Sequence, residues 1–306
     1  MTVTIPDRFA SHVREHLGAS GDRWLRDLPA LVADLSARWR IAVGEPFDLS
    51  YNYVARARRR GGTDAVLKIG PPWEDGELGR EIHALGQYGG VGACRLLESD
   101  VERQAMLLER LRPGTMLRDL AADDDDAATR IGADVMRRLW RPAADLPNSG
   151  LFKPLAEWFN AFPRHRAFYG GPGPFPASVL EYAEALLPDL LASSPGDVLL
   201  HGDFHHDNVL ASERGWLAID PKGMLGDPGY EVGPFLLNPD IDSAVKTRTL
   251  LDRRLDVFAA ELSYDRRRLR DWAIAHAVLS ACWSAEGHGR HWRTAIAAAE
   301  NLIDHA

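Results

Sequence analysis

Cysteine and long apolar segments are both scarce in this sequence. The 306 residues include two cysteines, Cys94 and Cys282, which lie far apart and form no CxxC pair. This scarcity excludes a disulfide-rich scaffold and predicts buried free thiols in a reducing compartment. No segment approaches the ~18 uninterrupted apolar residues of a membrane span, and the N-terminus lacks a signal-peptide pattern. We therefore expect no membrane contact and a cytoplasmic location.

An excess of basic residues is also lacking. Lysine and arginine total 36 against 44 acidic residues, for a formal net charge of -8. The densest basic run, Arg58–Arg60, precedes Gly61–Gly62 and has the pattern of a solvated hairpin tip. Because nucleic-acid-binding proteins usually carry a basic stripe, we expect no nucleic-acid partner. The acidic balance favours a cationic small molecule instead, and we expect the chain to be a monomer.

Hydrophobic periodicity divides the chain into a strand-rich first part and a helical second part. Apolar residues recur at spacings of three and four from Trp24 to Trp39, whereas apolar and polar residues alternate from Phe47 onwards. The predicted elements are a helix over 21–40, strands over 47–58 and 64–69, a helix over 75–88, and strands over 93–97 and 105–111. A Pro-Gly break then separates an N-terminal lobe, 1–111, from a C-terminal lobe, 112–306.

The second part is predicted to be mainly helical. The predicted helices are one that contains 131–140, followed by 178–192, 243–262, 267–285 and 292–304. Four consecutive acids, Asp123–Asp126, precede the first of them, where they suit the helix dipole better than a metal site. Two short strands, 197–200 and 215–220, interrupt the helices. Polar residues that can carry chemistry directly follow the first strand and end the second.

The first of these strands leads into a polar loop with the spacing of a phosphotransfer motif. His201-Gly202-Asp203 follows the apolar strand, and Asn208 comes five residues after Asp203. This separation matches the protein-kinase pattern H-R-D-x-x-x-x-N. In that chemistry the aspartate orients the acceptor hydroxyl and takes its proton, and the asparagine binds Mg²⁺.

The second strand ends in Asp220, twelve residues after Asn208. A hairpin would bring the two side chains together, and Mg²⁺ prefers such carboxylate and amide oxygens. In the first part, Lys68 ends an apolar strand and Glu81 lies on the next predicted helix. This arrangement predicts an ion pair that holds the lysine against ATP phosphates. Leu107–Leu111 fits a hinge strand, in which the backbone around Glu109 and Leu111 would bond adenine.

Four segments resemble the aminoglycoside phosphotransferase family, in particular its streptomycin 6-kinase and hydroxyurea phosphotransferase branch. They are Leu108–Gly114, Leu200–Leu210, Ala218–Gly223 and Gly226–Gly233, within a resemblance that spans residues 45–290. The resemblance implies an α+β, two-lobed, protein-kinase-like fold with a small β-rich N-terminal lobe and a larger helical C-terminal lobe. It also implies that ATP binds in the cleft and that the C-terminal lobe holds an antibiotic.

The same resemblance assigns roles to individual residues. It makes Asp203 the catalytic base, Asn208 and Asp220 the ligands of Mg²⁺, Lys68 the phosphate-binding residue and Glu81 the residue that orients this lysine.

The sequence departs from protein kinases at two places. Ser50-Tyr51-Asn52-Tyr53 stands where a glycine-rich loop would be, so Ser50 or Asn52 and backbone amides are the candidates for covering the phosphates. Asp220-Pro221-Lys222 replaces Asp-Phe-Gly, so regulation by a flipping phenylalanine is not expected.

Several polar residues have both a structural and a functional interpretation. Asp227 and Glu231 are either a helix cap and a loop acceptor or contacts of a cationic substrate. Trp283 and Glu286 are either a core aromatic beside a solvated acid or a guanidinium site, because tryptophan stacks on guanidinium.

The loop histidines invite a zinc site, but no cysteine or second histidine cluster completes one. We expect His201 to orient the loop through hydrogen bonds, and His205 to be a structural or substrate-side residue.

The reaction expected from this pattern is transfer of the ATP γ-phosphoryl group to a hydroxyl. The leading acceptor is the 6-hydroxyl of streptomycin, and this choice rests on the resemblance. Hydroxyurea or another small metabolite is the alternative acceptor, and a nucleotide-binding pseudokinase is the non-enzymatic alternative. A protein kinase is disfavoured because no Ala-Pro-Glu motif follows Asp220.

Overall fold

A computed structural model of the chain describes residues 3–73, 76–239, 244–287, 289 and 291–303. The chain separates into two units, Met1–Arg112 and Pro113–Ala306. None of the helices within the described ranges has the length and apolar character needed to cross a bilayer.

The first unit combines two helices with five strands. These are α1 (Asp7–Trp39), β1 (Ile41–Pro46), β2 (Tyr53–Arg59), β3 (Asp64–Ile69), α2 (Glu77–Tyr88), β4 (Leu96–Asp100) and β5 (Ala105–Glu109). The strands form one antiparallel sheet in the order β1-β2-β3-β5-β4. Lys68 therefore lies on the central strand, paired with Val54 of β2 and Met106 of β5.

The structure corrects three predictions for this unit. Helix α1 begins at Asp7 rather than at residue 21, since Phe9 and Val13 are buried, and it contains a non-helical Gly18 that breaks the apolar period. The strand predicted over 93–97 begins three residues later.

The third correction concerns the strand predicted from residue 47. Residues 47–52 form a loop, and the strand before it is β1. The apolar alternation misleads because the Phe47 ring packs under the guanidinium groups of Arg56 and Arg110, at 4.6 and 4.7 Å, rather than in the sheet core.

The second unit is mainly helical, with short strands between the helices. Its helices are α3 (Leu117–Ala121), α4 (Asp125–Leu139), α5 (Ala161–Tyr169), α6 (Ala177–Ala192), α7 (Val232–Leu236), α8 (Ala244–Leu262), α9 (Arg266–Glu286) and α10 (Trp292–Ile303). Its strands are β6 (Pro113–Met116), β7 (Lys153–Pro154), β8 (Val198–Leu200), β9 (Val209–Ser212), β10 (Gly215–Ala218) and β11 (Met224–Gly226). They form two small sheets, β10-β9-β6 and β7-β11-β8.

Helix α9 forms much of the core of this unit. Trp272, Ala275 and Leu279 are fully buried, and the helix packs against α6, α7 and α10. The acidic run that precedes α4 has the predicted capping role, because the Asp124 carboxylate accepts a hydrogen bond from Ala127 N at 2.9 Å. Asp125, the next residue of that run, pairs with the buried Arg254 of α8. The acids at the start of α4 therefore bind this helix to α8.

Candidate active site

The loop after β8 is held by a buried histidine. His201 is fully buried, and burial lowers its pKa to about 4. The ring is therefore neutral, so one nitrogen donates and the other accepts. Nε2 lies 2.7 Å from the carbonyl oxygen of Ile219, and Asp203 N donates to Nδ1 at 3.3 Å. The expected orienting role of His201 is confirmed, since this ring joins the loop to the chain segment that carries Asp220.

Asp203 presents its carboxylate from this loop. Its side chain keeps 43% of its exposure, and His205 Nε2 lies 3.8 Å from Asp203 Oδ1. The Asn208 amide nitrogen donates to the carbonyl oxygen of Asp203 at 2.9 Å, so the asparagine fixes the backbone of the aspartate. An accessible carboxylate on a fixed backbone can accept a proton from a bound hydroxyl.

Asp220 is brought to the same place by a hairpin. Strands β9 and β10 pair in antiparallel register from Val209 with Ala218, and Ile219 N donates to Asn208 O at 2.9 Å. Asp220 follows with a left-handed backbone, φ 60°. Since the amide nitrogen of Asn208 is engaged by Asp203, its Oδ1 is the atom left to serve as a ligand. A carboxylate and an amide oxygen on adjacent backbone segments are a donor set that fits Mg²⁺.

Glu231 supports the catalytic loop from inside the protein. The side chain is 1% exposed, and Oε1 accepts a hydrogen bond from Gly202 N at 3.1 Å. Burial raises the pKa of this carboxyl to about 8. Asp227 is also buried, caps the turn at Gly229 through Oδ1 at 2.7 Å and pairs with Arg268. Each carboxyl bonds a group of the fold, which favours its structural interpretation over contact with an acceptor, and Glu231 Oε2 is buried with no hydrogen-bond partner among the described residues.

Trp283 and Glu286 lie at the end of α9, nearer the surface. The Trp283 side chain is 37% exposed, and its ring packs edge-on against Trp158, with ring centroids 5.2 Å apart. Glu286 Oε2 accepts a hydrogen bond from Arg164 Nε at 2.8 Å. These two residues therefore remain candidates for acceptor binding.

The first unit contains the ion pair that the sequence predicts. Lys68 Nζ lies 2.8 and 2.7 Å from the two carboxylate oxygens of Glu81, and both side chains are 4% exposed. Strand β3 supplies the lysine and α2 the glutamate. Removing both charges from water costs free energy, and only close to ideal geometry offsets this cost. The two short bonds between Lys68 and Glu81 have such geometry.

The candidate phosphate-covering residues lie in the loop between β1 and β2. Ser50 is exposed in this loop, and Asn52 directly precedes β2. Asn52 Oδ1 is buried without a hydrogen-bond partner in the part of the chain that the structure describes. The loop thus occupies the position that the kinase pattern requires, but its side chains replace the expected glycines.

The candidate hinge lies at the end of β5. Glu109 is the last residue of this strand, and its Oε2 accepts a hydrogen bond from Arg95 N at 3.0 Å. Leu111 follows outside the strand and is 7% exposed. The Glu109 side chain is thus engaged within the unit, so only the backbone of this segment remains a candidate for binding adenine.

Three residues near the catalytic loop were missed at the sequence level. A Cβ built on Gly202, which has φ 88°, would lie 3.1 Å from the Trp158 ring. Trp158 also contacts Tyr230, whose hydroxyl lies 2.8 Å from His276 Nδ1. These contacts join segments about 40 to 70 residues apart in sequence, so no local pattern could reveal them.

The described histidines of the catalytic loop are held by packing and hydrogen bonds within the fold. Within the described ranges, no group of three or more His, Cys, Asp or Glu side chains is arranged to hold an ion. His206 instead packs on Phe235, with ring centroids 3.9 Å apart, and neither ring nitrogen has a hydrogen-bond partner among the described residues.

The buried histidines predict instability in acid. Burial lowers the folded-state pKa of His201 and His276 to about 4 and that of His206 to about 2. Below pH ~6.5 the unfolded chain takes up protons that the folded chain refuses, so stability falls as the pH falls, by about 1.4 kcal/mol per group and pH unit. Glu231 has the opposite effect and cancels the contribution of one histidine. Its raised pKa means that between pH ~4.5 and ~8 the folded state, not the unfolded chain, holds the extra proton.

The free energy of unfolding should therefore fall by about 3 kcal/mol for each pH unit between pH 6.5 and 4.5. Urea unfolding at a series of pH values measures this slope. In His206→Leu the slope should decrease by about 1.4 kcal/mol per pH unit. His291→Leu, at an exposed histidine, should leave it unchanged. An unaltered slope in His206→Leu would show that this histidine is not held neutral.

Comparison with solved structures agrees with this architecture. A thermostable mutant of an aminoglycoside phosphotransferase, crystallised as a ternary complex with ADP and hygromycin B, superposes with a TM-score of 0.62 at 16% identity. The match covers 89% of this chain and 97% of that one. The predicted α+β, protein-kinase-like fold is thereby confirmed.

Sequence comparison identifies the family. A family model described as aminoglycoside/hydroxyurea antibiotic resistance kinase matches residues 38–287. Streptomycin 6-kinase of Streptomyces glaucescens is 34% identical over 288 residues, which cover 93% of this chain and 92% of that protein. Hydroxyurea phosphotransferase of Kitasatospora aureofaciens is 34% identical over 307 residues, with 99% and 87% covered. This chain therefore belongs to the aminoglycoside/hydroxyurea antibiotic resistance kinase family.

Proposed function

We propose that this protein transfers the γ-phosphoryl group of ATP to a hydroxyl of an aminoglycoside, with the 6-hydroxyl of streptomycin as the first candidate. The observation that carries the proposal is the arrangement around Asp203. Its carboxylate is exposed while its backbone is held by Asn208 and His201. A positioned carboxylate of this kind suits proton removal from an acceptor hydroxyl.

In the proposed reaction Asp203 orients the acceptor hydroxyl and accepts its proton. The hydroxyl oxygen bonds to the γ-phosphorus of ATP as the bond from this phosphorus to the β,γ-bridging oxygen breaks, and ADP leaves with that oxygen. Asn208 and Asp220 would hold Mg²⁺, which when bound neutralises charge on the phosphate oxygens. His201 and Glu231 act only through the backbone of the loop, on Asp203 N and Gly202 N. Because the transition state of phosphoryl transfer is loose, such positioning contributes most of what the protein can supply.

Region 1–111 would bind the nucleotide in this proposal, and region 112–306 would carry the catalytic loop and the acceptor. Lys68 would contact the α- and β-phosphates, with Glu81 fixing its ammonium group. Ser50, Asn52 and the loop backbone would cover the phosphates, and the backbone of Glu109 to Leu111 would bond adenine. The related fold crystallised with ADP and hygromycin B supports the use of a nucleotide and an antibiotic together.

The relatives leave two acceptor classes to compare. Streptomycin 6-kinase and hydroxyurea phosphotransferase are equally similar to this chain, at 34% identity each. We favour streptomycin because it is cationic, as the acidic balance of the chain suits, and because Trp283 and Glu286 lie in the unit that carries Asp203. The protein would act as a cytoplasmic monomer.

Labelled ATP and a panel of acceptors test this proposal. We expect phosphate transfer to streptomycin in the presence of Mg²⁺, and no transfer to hydroxyurea at comparable concentration. Mass spectrometry of the product would locate the modified hydroxyl. Transfer to uncharged acceptors alone would contradict the proposal and favour the small-metabolite alternative. Nucleotide binding without any acceptor-dependent ADP release would favour the pseudokinase alternative.

A further inference from the structure

Among the described residues of the second unit, Asp207, Glu231 and Glu286 each have one carboxylate oxygen that is buried without a hydrogen-bond partner. Of these, Glu286 lies one helical turn from an exposed tryptophan, Trp283. Glu286 lies at the end of α9, and its Oε2 is bonded to Arg164 Nε at 2.8 Å. The other oxygen, Oε1, is buried and has no hydrogen-bond partner among the described residues. A guanidinium group can bond both oxygens of a carboxylate at once, and this two-bond geometry is the stronger one. The pair with Arg164 therefore leaves part of the binding capacity of Glu286 unused.

The neighbouring ion pair on α5 shows the alternative geometry. Arg166, two residues after Arg164, binds Glu184 through Nε and Nη2, both at 2.6 Å. The Arg166 side chain is 34% exposed, whereas Arg164 is 55% exposed and makes a single bond. An exposed arginine with one bond gains little from its partner and is readily displaced. Arg164 thus covers Glu286 without being firmly bound to it.

An aromatic surface connects Glu286 with the catalytic loop. Trp283 lies one turn before Glu286 on α9, so both side chains point to the same side of the helix. Its exposed ring meets Trp158 edge-on, and Trp158 lies against Gly202, next to Asp203. A molecule that touched Glu286 and Trp283 would therefore lie next to Trp158, which borders the loop that carries Asp203, all within one unit.

We propose that Glu286, Trp283 and Trp158 bind a guanidinium group of the acceptor, and that Arg164 occupies this site until the acceptor displaces it. The inference rests on the proposed function and adds the chemical group by which the acceptor is recognised. Guanidinium stacks on tryptophan and forms paired bonds with a carboxylate. The incoming group would satisfy Oε1 as well as Oε2, which the single bond of Arg164 does not.

The test measures binding separately from turnover. The full chain is titrated calorimetrically with three compounds. Streptomycin and methylguanidinium both carry guanidinium groups, whereas hygromycin B carries amino groups but no guanidinium group. The titrations are repeated with Glu286→Gln, Arg164→Gln and Arg166→Gln. Arg166→Gln is the matched control, since it breaks an ion pair on the same helix outside the proposed site.

Glu286→Gln should weaken streptomycin binding about tenfold or more, the usual effect of losing a hydrogen bond to a charged group. Arg164→Gln should tighten it by about threefold to tenfold, because the site no longer has to be vacated. All three variants should bind hygromycin B with the same affinity as the unchanged chain. Arg166→Gln should also bind streptomycin with the same affinity as the unchanged chain.

Three outcomes would overturn the proposed guanidinium site. They are weaker streptomycin binding by Arg164→Gln, unchanged streptomycin binding by Glu286→Gln, and no binding of either guanidinium compound to the unchanged chain. Thermal unfolding of each variant identifies a loss of affinity that comes from a disrupted fold. Streptomycin that binds as predicted but is not phosphorylated would instead reject the proposed function and support the guanidinium site.

Discussion

Replacing Asp203 with asparagine is expected to lower kcat by about 100- to 10,000-fold, the usual contribution of a general base. Asparagine keeps the shape of the side chain but cannot accept the acceptor proton. The hydrogen bond that Asn208 donates to the backbone carbonyl of residue 203 is kept, so the loop should retain its conformation. The measurement is steady-state transfer from labelled ATP to streptomycin, with the KM for ATP determined in parallel.

The control for this variant is Glu213→Gln, an exposed position in the turn between β9 and β10. It removes one carboxylate from the same hairpin and should leave kcat within about twofold, as an exposed surface substitution usually does. A turnover in Asp203→Asn close to that of the unchanged protein would show that another group takes the proton. An increase in KM for ATP with unchanged kcat would indicate that Asp203 acts in nucleotide binding rather than in catalysis.

Replacing Lys68 with methionine is expected to reduce both stability and activity. The change removes the ammonium group 2.7 Å from Glu81 while the carboxylate stays buried. Breaking a buried ion pair from one side commonly costs about 3 to 5 kcal/mol, measurable by urea unfolding. Under the proposed role of Lys68 transfer should also fail, because β3 then offers no cation to the ATP phosphates.

The double variant Lys68→Met/Glu81→Met separates the two effects. Two apolar side chains leave no lone buried charge, so the free energy of unfolding should return to within about 1 kcal/mol of the original value or exceed it. Activity should stay as low as in the single variant. A double variant that regains transfer would refute the phosphate-binding role of Lys68, and one that stays as unstable as Lys68→Met would refute the electrostatic origin of the instability.

The parts of the site that could be predicted are those written into short segments. Asp203 and Asp220 lie two to three residues after apolar strands, and Asn208 directly precedes one, so their spacing defines their position at strand ends. The pair of Lys68 and Glu81 could be predicted from the kinase pattern, in which a lysine at the end of a strand pairs with a glutamate on the next helix. Their roles in binding metal and nucleotide stay predictions until the variants above are measured.

The parts that could not be predicted depend on contacts between distant segments. The alternation from Phe47 indicated a strand, but residues 47–52 form a loop in which two arginine side chains cover the Phe47 ring. The contacts of Trp158 and Arg164 with Trp283 and Glu286 of α9 join segments more than one hundred residues apart, so they are visible only in the fold. The sequence offered Glu231 as a loop acceptor or as a substrate contact, and only the fold favours the first, because it buries the side chain beneath Gly202.

The left-handed backbone at Asp220 makes this a position at which stability and catalysis select different residues. Glycine adopts such a φ without the clash between Cβ and carbonyl oxygen, which costs other residues about 1 kcal/mol. Glycine, however, supplies no carboxylate for a metal ion. A lineage freed from selection for phosphate transfer could therefore gain stability by losing Asp220. An aspartate kept in this backbone conformation is what a chain still selected for transfer would carry.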